Sequence, residues 1–184
     1  RPDNRAPVVI STRNLYPIYD IVLLVEAAAL VNRKSETEFL VCGDGPERGE
    51  LEKRAARLGL AEHMEFAGRL KAESLARRLR TADIYVSTSY SDSTSVSLLE
   101  AMACGLVPVV TDIEANREWI RDGENGLVIE RREPESLAEA INRAAADREF
   151  ADGARKINFG LIRERGLWTP NMERLERAIT ARLQ

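Results

Sequence analysis

Aromatic residues make up only 5% of this 184-residue chain, cysteine occurs twice and histidine once. Each shortage removes a class of function. So few aromatics give no stacking platform for single-stranded nucleic acid. Cys42 and Cys104 are too few for a disulfide scaffold, and with His63 they cannot assemble a zinc site of the usual kind. Reduced thiols in a cytoplasmic setting are expected. Neither charge is in excess: 27 basic residues face 30 acidic ones, for a net charge of -3, which argues against a nucleic-acid-binding face. No apolar run approaches the ~18 residues of a membrane span, since Ile21 to Val31 is broken by Glu26, and no signal peptide is visible. What is present is 44% hydrophobic residues, enough for one core. The chain opens Arg1-Pro2-Asp3-Asn4-Arg5 rather than with Met, so one lobe of a longer protein is expected.

Short apolar runs alternate with helical patterns. Strands are expected at Val8-Val9-Ile10-Ser11, Phe39-Leu40-Val41-Cys42, Met64-Glu65-Phe66-Ala67, Ile84-Tyr85-Val86-Ser87, Val107-Pro108-Val109-Val110 and Leu127-Val128-Ile129. Pro108 counts against the fifth. Helices are expected over 20–33, with Ile21, Leu24, Ala28 and Val31 on one face, and over 48–58, 72–80, 97–103, 116–121 and 134–146. Pro134 suits a first helical turn, with Leu137, Ala140, Ile141 and Ala144 facing one way. After residue 150 a helical tail is expected, its last helix starting at Trp168-Thr169-Pro170-Asn171 with Met172, Leu175 and Ile179 on one stripe. Repeated β-then-α units imply an α/β fold: a Rossmann-like, parallel, six-stranded sheet with helices on both faces. Ligands of such sheets sit beyond the carboxyl ends of the strands, at the point where strand order reverses.

Two of the loops in that position have unusual composition. Gly43-Asp44-Gly45-Pro46 leads into a helix, and its glycines permit a close backbone approach. It lacks the spacing of a dinucleotide fingerprint, because Arg48 holds the last position, and no Gly-Lys-Ser/Thr sequence of a Walker loop occurs. A tight turn with a proline helix start explains it equally well. Ser89-Tyr90-Ser91-Asp92-Ser93-Thr94-Ser95-Val96-Ser97 is rich in hydroxyls and precedes Leu98-Leu99-Glu100-Ala101-Met102-Ala103. A helix N-terminus flanked by hydroxyls suits a phosphate. Ser97-Leu98-Leu99-Glu100 also reads as a capping box, which would explain Glu100 without a ligand.

Val41-Cys42-Gly43-Asp44-Gly45-Pro46, Phe66-Ala67-Gly68, Ala82-Asp83-Ile84-Tyr85-Val86 and Leu99 through Val110 occur in this order. Thr111-Asp112, Glu118-Trp119-Ile120 and Asp122-Gly123-Glu124-Asn125-Gly126-Leu127-Val128 follow. From about Val8 to Ile141 the chain closely resembles the C-terminal, donor-binding domain of group 1 (family 4) glycosyltransferases of the GT-B fold. The stretch from Asp92 to Val110 is the specific part. The resemblance implies residues 1–184 as the nucleotide-sugar-binding domain, with an N-terminal acceptor domain outside this chain. It implies retaining, metal-independent hexosyl transfer from a nucleotide-diphosphate sugar such as a UDP- or GDP-sugar, without cofactor. The isolated lobe is expected to bind donor but not to transfer it.

The resemblance also assigns residues. Two acids with seven residues between them fall at Asp92, handling the transferred sugar, and Glu100, on the ribose hydroxyls. The family usually has glutamate at the first position, so Asp92 is one methylene short. Arg13 matches an arginine that touches the diphosphate; the lysine that accompanies it is absent, and Tyr19 falls nearest. The amides of Thr94, Ser95, Val96, Ser97 and Leu98 face diphosphate and sugar, and Gly43, Asp44, Gly45 and Leu70 complete the donor-binding set. Glu118 is as compatible with a first-turn helix acid as with a ligand contact. Arg117 is a candidate second cation, whereas Arg131-Arg132, the basic cluster Arg77-Arg78-Arg80 and His63 read as surface residues. The acceptor, a sugar or a lipid-linked molecule, is expected on the other domain, with peripheral membrane contact left open and no nucleic-acid partner. A non-catalytic nucleotide-sugar-binding module and a lobe of a GT-B sugar-nucleotide epimerase remain alternatives.

Overall fold

The computed structural model describes residues 5–93, 95–167, 169, 171 and 172. Each apolar run becomes a strand: β1 (Val8–Ser11), β2 (Glu38–Val41), β3 (Met64–Phe66), β4 (Ile84–Ser87), β5 (Val107–Thr111) and β6 (Leu127–Ile129). All pairings are parallel, and the sheet order is β3-β2-β1-β4-β5-β6. The order reverses between β1 and β4, where Val9 registers with Phe39 on one side and Ile84 on the other. Pro108 is tolerated in β5 because the ladder to β6 begins only at Val109, so the missing N–H breaks no pair on that side.

Residues alternate between two cores, as the two-residue period of a strand requires. Val9, Phe39, Val41, Ile84, Val86, Val107 and Val109 face a core shared with α1 (Ile21–Asn32), α2 (Arg48–Arg57) and α6 (Pro134–Ala146). Ile10, Leu40, Tyr85 and Val110 face the other core, with α3 (Ala72–Thr81) and α4 (Val96–Ala103). Helix α1 is buried nearly all round rather than on one face, because α6 packs along it as well as the sheet.

Several boundaries differ from the sequence expectation, each for a local reason. Helix α4 starts one residue early, at Val96, with Ser95 as its N-cap and no side-chain cap bond. Ser97 therefore lies inside the helix, and the capping box does not form. Helix α2 starts at Arg48, so Pro46 belongs to the preceding turn and not to the helix start. The expected helix over 116–121 is one turn, α5 (Glu114–Arg117), held by the Asn116 amide donating to the Thr111 carbonyl at 2.8 Å. The helical tail expected after residue 150 opens two residues earlier, with α7 (Arg148–Leu161), which starts where Asp147 accepts the Phe150 N–H at 3.0 Å. It packs against α4 and α6 and puts Ala151 and, just beyond it, Ile162 into the two cores. No break in the fold therefore falls at position 150. Of the last helix expected from sequence, Trp168, Leu175 and Ile179 lie outside the described residues. Among the described residues, no helix is long and apolar enough to cross a membrane.

Candidate active site

Arg13 leaves β1 at the point of strand reversal and turns back into the protein, where it is only 8% exposed. A guanidinium taken from water needs every N–H satisfied, and the hydroxyl-rich segment after β4 supplies the acceptors. The Nε–H donates to Ser89 Oγ at 3.2 Å, and Nη1 to Ser97 Oγ at 2.8 Å and Ser95 Oγ at 3.4 Å. Nη2 donates to the Asp92 carboxylate in a charge-assisted bond. The Tyr19 ring covers the guanidinium at 4.6 Å, a cation–π contact. Tyr85, fully buried on β4, shares a 2.8 Å hydrogen bond with Ser97 Oγ. The serine hydroxyls that suited a phosphate by sequence are thus turned onto one buried cation. Asp92 is held further by accepting the Ser93 N–H at 2.9 Å.

Glu100 lies one turn into α4, exposed, and has no hydrogen-bond or ion-pair partner among the described residues. With the capping box gone, no hydrogen bond or ion pair among the described residues accounts for this carboxylate. The first N–H groups of α4 point toward the same end of the sheet, and the Ser95 side chain does not cap them. One end of the molecule therefore holds a buried arginine, a helix N-terminus and, one turn into that helix, an acid unpaired among the described residues.

A family model described as glycosyl transferases group 1 matches residues 1–158. The chain belongs to this family. It is 33% identical over 132 residues to the D-inositol 3-phosphate glycosyltransferase of Geodermatophilus obscurus, a match covering 72% of this chain and 28% of that protein. The chain thus spans less than a third of this curated relative. Among solved structures, Anabaena HepE in complex with UDP-glucose superposes with a TM-score of 0.86 at 21% identity, over 96% of this chain and 49% of that one. The C-terminal domain of a group 1 glycosyl transferase, LpcC of Francisella tularensis, superposes at 0.79 with 22% identity, over 86% and 85%. These likenesses establish the fold as the Rossmann-like lobe of GT-B glycosyltransferases.

In this group 1 lobe the other expected site residues fall into place unevenly. Gly43 and Gly45 are required by packing within the chain. A Cβ on Gly43 would lie 2.1 Å from the Arg13 carbonyl oxygen, and one on Gly45 would lie 2.3 Å from that of Leu15. The β1 and β2 loops are laced together by Leu15 N–H to Asp44 O at 3.1 Å and Glu47 N–H to Leu15 O at 3.2 Å. The Gly-Asp-Gly-Pro turn thus supports Arg13 from behind. Asp44 turns its carboxylate back onto the Gly45 N–H at 2.9 Å. Leu98 is fully buried and its N–H donates to Ser95 O at 2.9 Å, so it offers no free amide. Leu70 follows β3, two strands from β1, and packs against the second core. Val96 is exposed at the helix start, and Thr94 lies outside the described residues.

The candidate second cation is occupied. Arg117 pairs in a fork with Asp112, which holds the Asp112 carboxyl below the usual carboxylate range and raises the arginine. Glu118 lies 3.5 Å from Arg165. Arg132 corrects the surface reading: it reaches from the turn after β6 to Asp20 and to the end of β4. No sequence spacing signals that contact, because its partners lie 112 and 44 residues away. Arg78 does stay on the surface, paired with Glu65 at 2.8 Å. His63 stands before β3, at the end of the sheet opposite these loops, 3.6 Å from Glu38. Both cysteines are free; burial pushes the Cys42 thiol up to about 11 and raises Cys104 as well.

Proposed function

We propose that this chain is the donor-binding half of a retaining, metal-independent glycosyltransferase that moves a hexose from a nucleotide-diphosphate sugar to an acceptor. The observation that carries the reading is Glu100, unpaired among the described residues and one turn along α4 from Ser97, which binds the buried Arg13 at the point where strand order reverses. Glu100 then accepts from the ribose hydroxyls, bonds of a charge-assisted kind worth about 1.5–3 kcal/mol. Arg13 and the α4 N-terminus stabilise the departing diphosphate, where negative charge grows as the bond to the sugar breaks. Asp92 faces the transferred sugar. The acceptor, sugar or lipid-linked, binds to a further domain, and a cytoplasmic setting goes with the free thiols.

Calorimetric titration of the chain with UDP, GDP and ADP, and then with their sugars, tests this. A single preferred nucleotide, with binding lost in Glu100→Ala, is the expected result. No binding by either the chain or the full-length protein overturns it. A second reading, a nucleotide-sugar-binding module without catalysis, is favoured by the ion pair that ties Asp92 to Arg13. Asp92→Ala in the full-length protein separates the two, because loss of turnover with donor binding retained supports catalysis.

A further inference from the structure

Arg132 makes a contact across 112 residues at this end of the molecule. It stands in the turn after β6, at the sheet edge, and its guanidinium crosses the end of β5. Its Nη2 donates to Asp20 Oδ2 at 2.8 Å and to the Thr88 carbonyl at 2.6 Å, and its Nη1 donates to the Ser89 carbonyl at 3.1 Å. Its planar face lies 3.6 Å over the Tyr90 ring. One side chain therefore ties together three segments: its own turn, the start of α1, and the exit of β4.

The two segments it grips are those that position Arg13. Ser89 offers its carbonyl to Arg132 and its hydroxyl to the Arg13 Nε–H. Asp20 follows Tyr19, whose ring covers Arg13. Asp20 is the one non-glycine residue with positive φ among the described residues, at +46°. A left-handed aspartate is uncommon and persists where its surroundings hold it; here a charge-assisted bond from Arg132 does so. The same segments are cross-linked by Thr88 Oγ1 donating to Tyr19 O at 2.7 Å and by Tyr90 N–H donating to Ile18 O at 2.9 Å. Arg132 itself is paired with Asp20 and adds no net charge for a diphosphate, so its contribution is geometric.

We propose that Arg132 is a positioning residue of the donor site, holding the β1 and β4 loops in the spacing that orients Arg13 toward the diphosphate. This rests on the donor-binding reading above. Hydrogen exchange on the ligand-free chain tests the positioning by itself. Arg132→Gln is expected to speed exchange in both 12–20 and 88–93 and to leave the strand cores unchanged. Arg132→Lys, which keeps the bond to Asp20 but loses the fork and the stacking, falls between. Faster exchange confined to 127–133 overturns the proposal, as does global loosening of the strands.

Titration with UDP, GDP and ADP supplies the second arm. Arg132→Gln is expected to weaken the preferred nucleotide by roughly tenfold, the order of coupling found between residues of one hydrogen-bond network. The same substitution in an Arg13→Ala background is expected to have little further effect. Full additivity on top of Arg13→Ala marks a merely structural role and overturns the proposal. If the unsubstituted chain and the full-length protein bind none of these nucleotides, the donor-binding reading fails, and the exchange measurement alone decides whether Arg132 holds the two loops.

Discussion

The buried guanidinium of Arg13 makes the backbone beneath it unusually sensitive. Gly43 supports the Arg13 carbonyl, and a Cβ there would stand 2.1 Å from that oxygen, so main chain must move. Overpacking of this kind costs about 1–3 kcal/mol, and rigid backbone on both sides puts Gly43→Ala at the upper end. The expected outcome is a lower urea midpoint with an unchanged slope, together with loss of nucleotide binding, read by denaturation and calorimetry. Cys42 follows a different logic. Its thiol titrates near 11 when folded against an ordinary value of 9.0, because burial disfavours the thiolate. The unfolded chain therefore loses this proton first as pH rises, and stability falls from about pH 9 toward about pH 11. Cys42→Ala is expected to remove that part of the alkaline decline. Denaturation curves of the two proteins across this range check it, and identical declines would sink the argument. Glu100 could be singled out because it stands at a fixed spacing from Asp92, and Arg13 only because the family resemblance matches it. The acceptors of Arg13 were not legible: Ser89, Ser95 and Ser97 read as a hydroxyl-rich loop, and only the fold shows which of them turn inward.

At the scale of elements, the strands were legible because buried parallel strands are continuous apolar runs, while the bounds and buried face of helix α7 were not. Its buried positions are Ala151, Ala154 and Asn158, two small residues and a polar one, with glycine at 153 and 160. No large apolar stripe marks it, and glycines lower helix propensity. What holds α7 is partly polar. Asn158 is fully buried and donates to Asn125 O at 2.9 Å, and its Oδ1 accepts from the Asn125 amide at 2.8 Å. Asn125 in turn donates to Trp119 O at 2.9 Å and accepts the Arg121 N–H at 2.7 Å. This chain of bonds fastens α7 to the loop between α5 and β6. Asn158→Ala leaves an Asn125 carbonyl and N–H without their partner inside the protein, a desolvation cost of about 1–3 kcal/mol. The expected result is destabilisation by that amount in chemical denaturation, with faster hydrogen exchange in 119–126. Unchanged exchange there would mean that α7 is held by its alanines alone.

At the scale of the whole molecule, the arginines that meet around the strand reversal are already paired among the described residues. Arg13 is paired with Asp92, Arg132 with Asp20 and Arg117 with Asp112, while Tyr19 occupies the position where the family's lysine is expected. On the proposed function, Asp92 and an incoming diphosphate would compete for the same guanidinium. Asp92→Asn removes the competing charge and keeps a hydrogen-bond acceptor of the same shape. Two consequences follow with opposite signs. The ligand-free protein loses stability, because a buried arginine is left without its counter-ion; breaking such a pair costs about 3–5 kcal/mol, less here since the amide oxygen still accepts. Nucleoside diphosphate binding strengthens, since the ligand no longer displaces a carboxylate. A charge-assisted bond of about 1.5–3 kcal/mol sets the scale, and roughly tenfold corresponds to 1.4 kcal/mol. The thermal midpoint of Asp92→Asn is therefore expected below that of the unsubstituted chain without ligand, and its rise on adding ligand is expected to be larger. In the full-length protein the same variant is expected to lose turnover, because the carboxylate proposed to face the sugar is gone. If Asp92→Asn binds nucleoside diphosphate no better than the unsubstituted chain, the Arg13–Asp92 pair does not guard the site, and the diphosphate is held by the α4 N-terminus without Arg13.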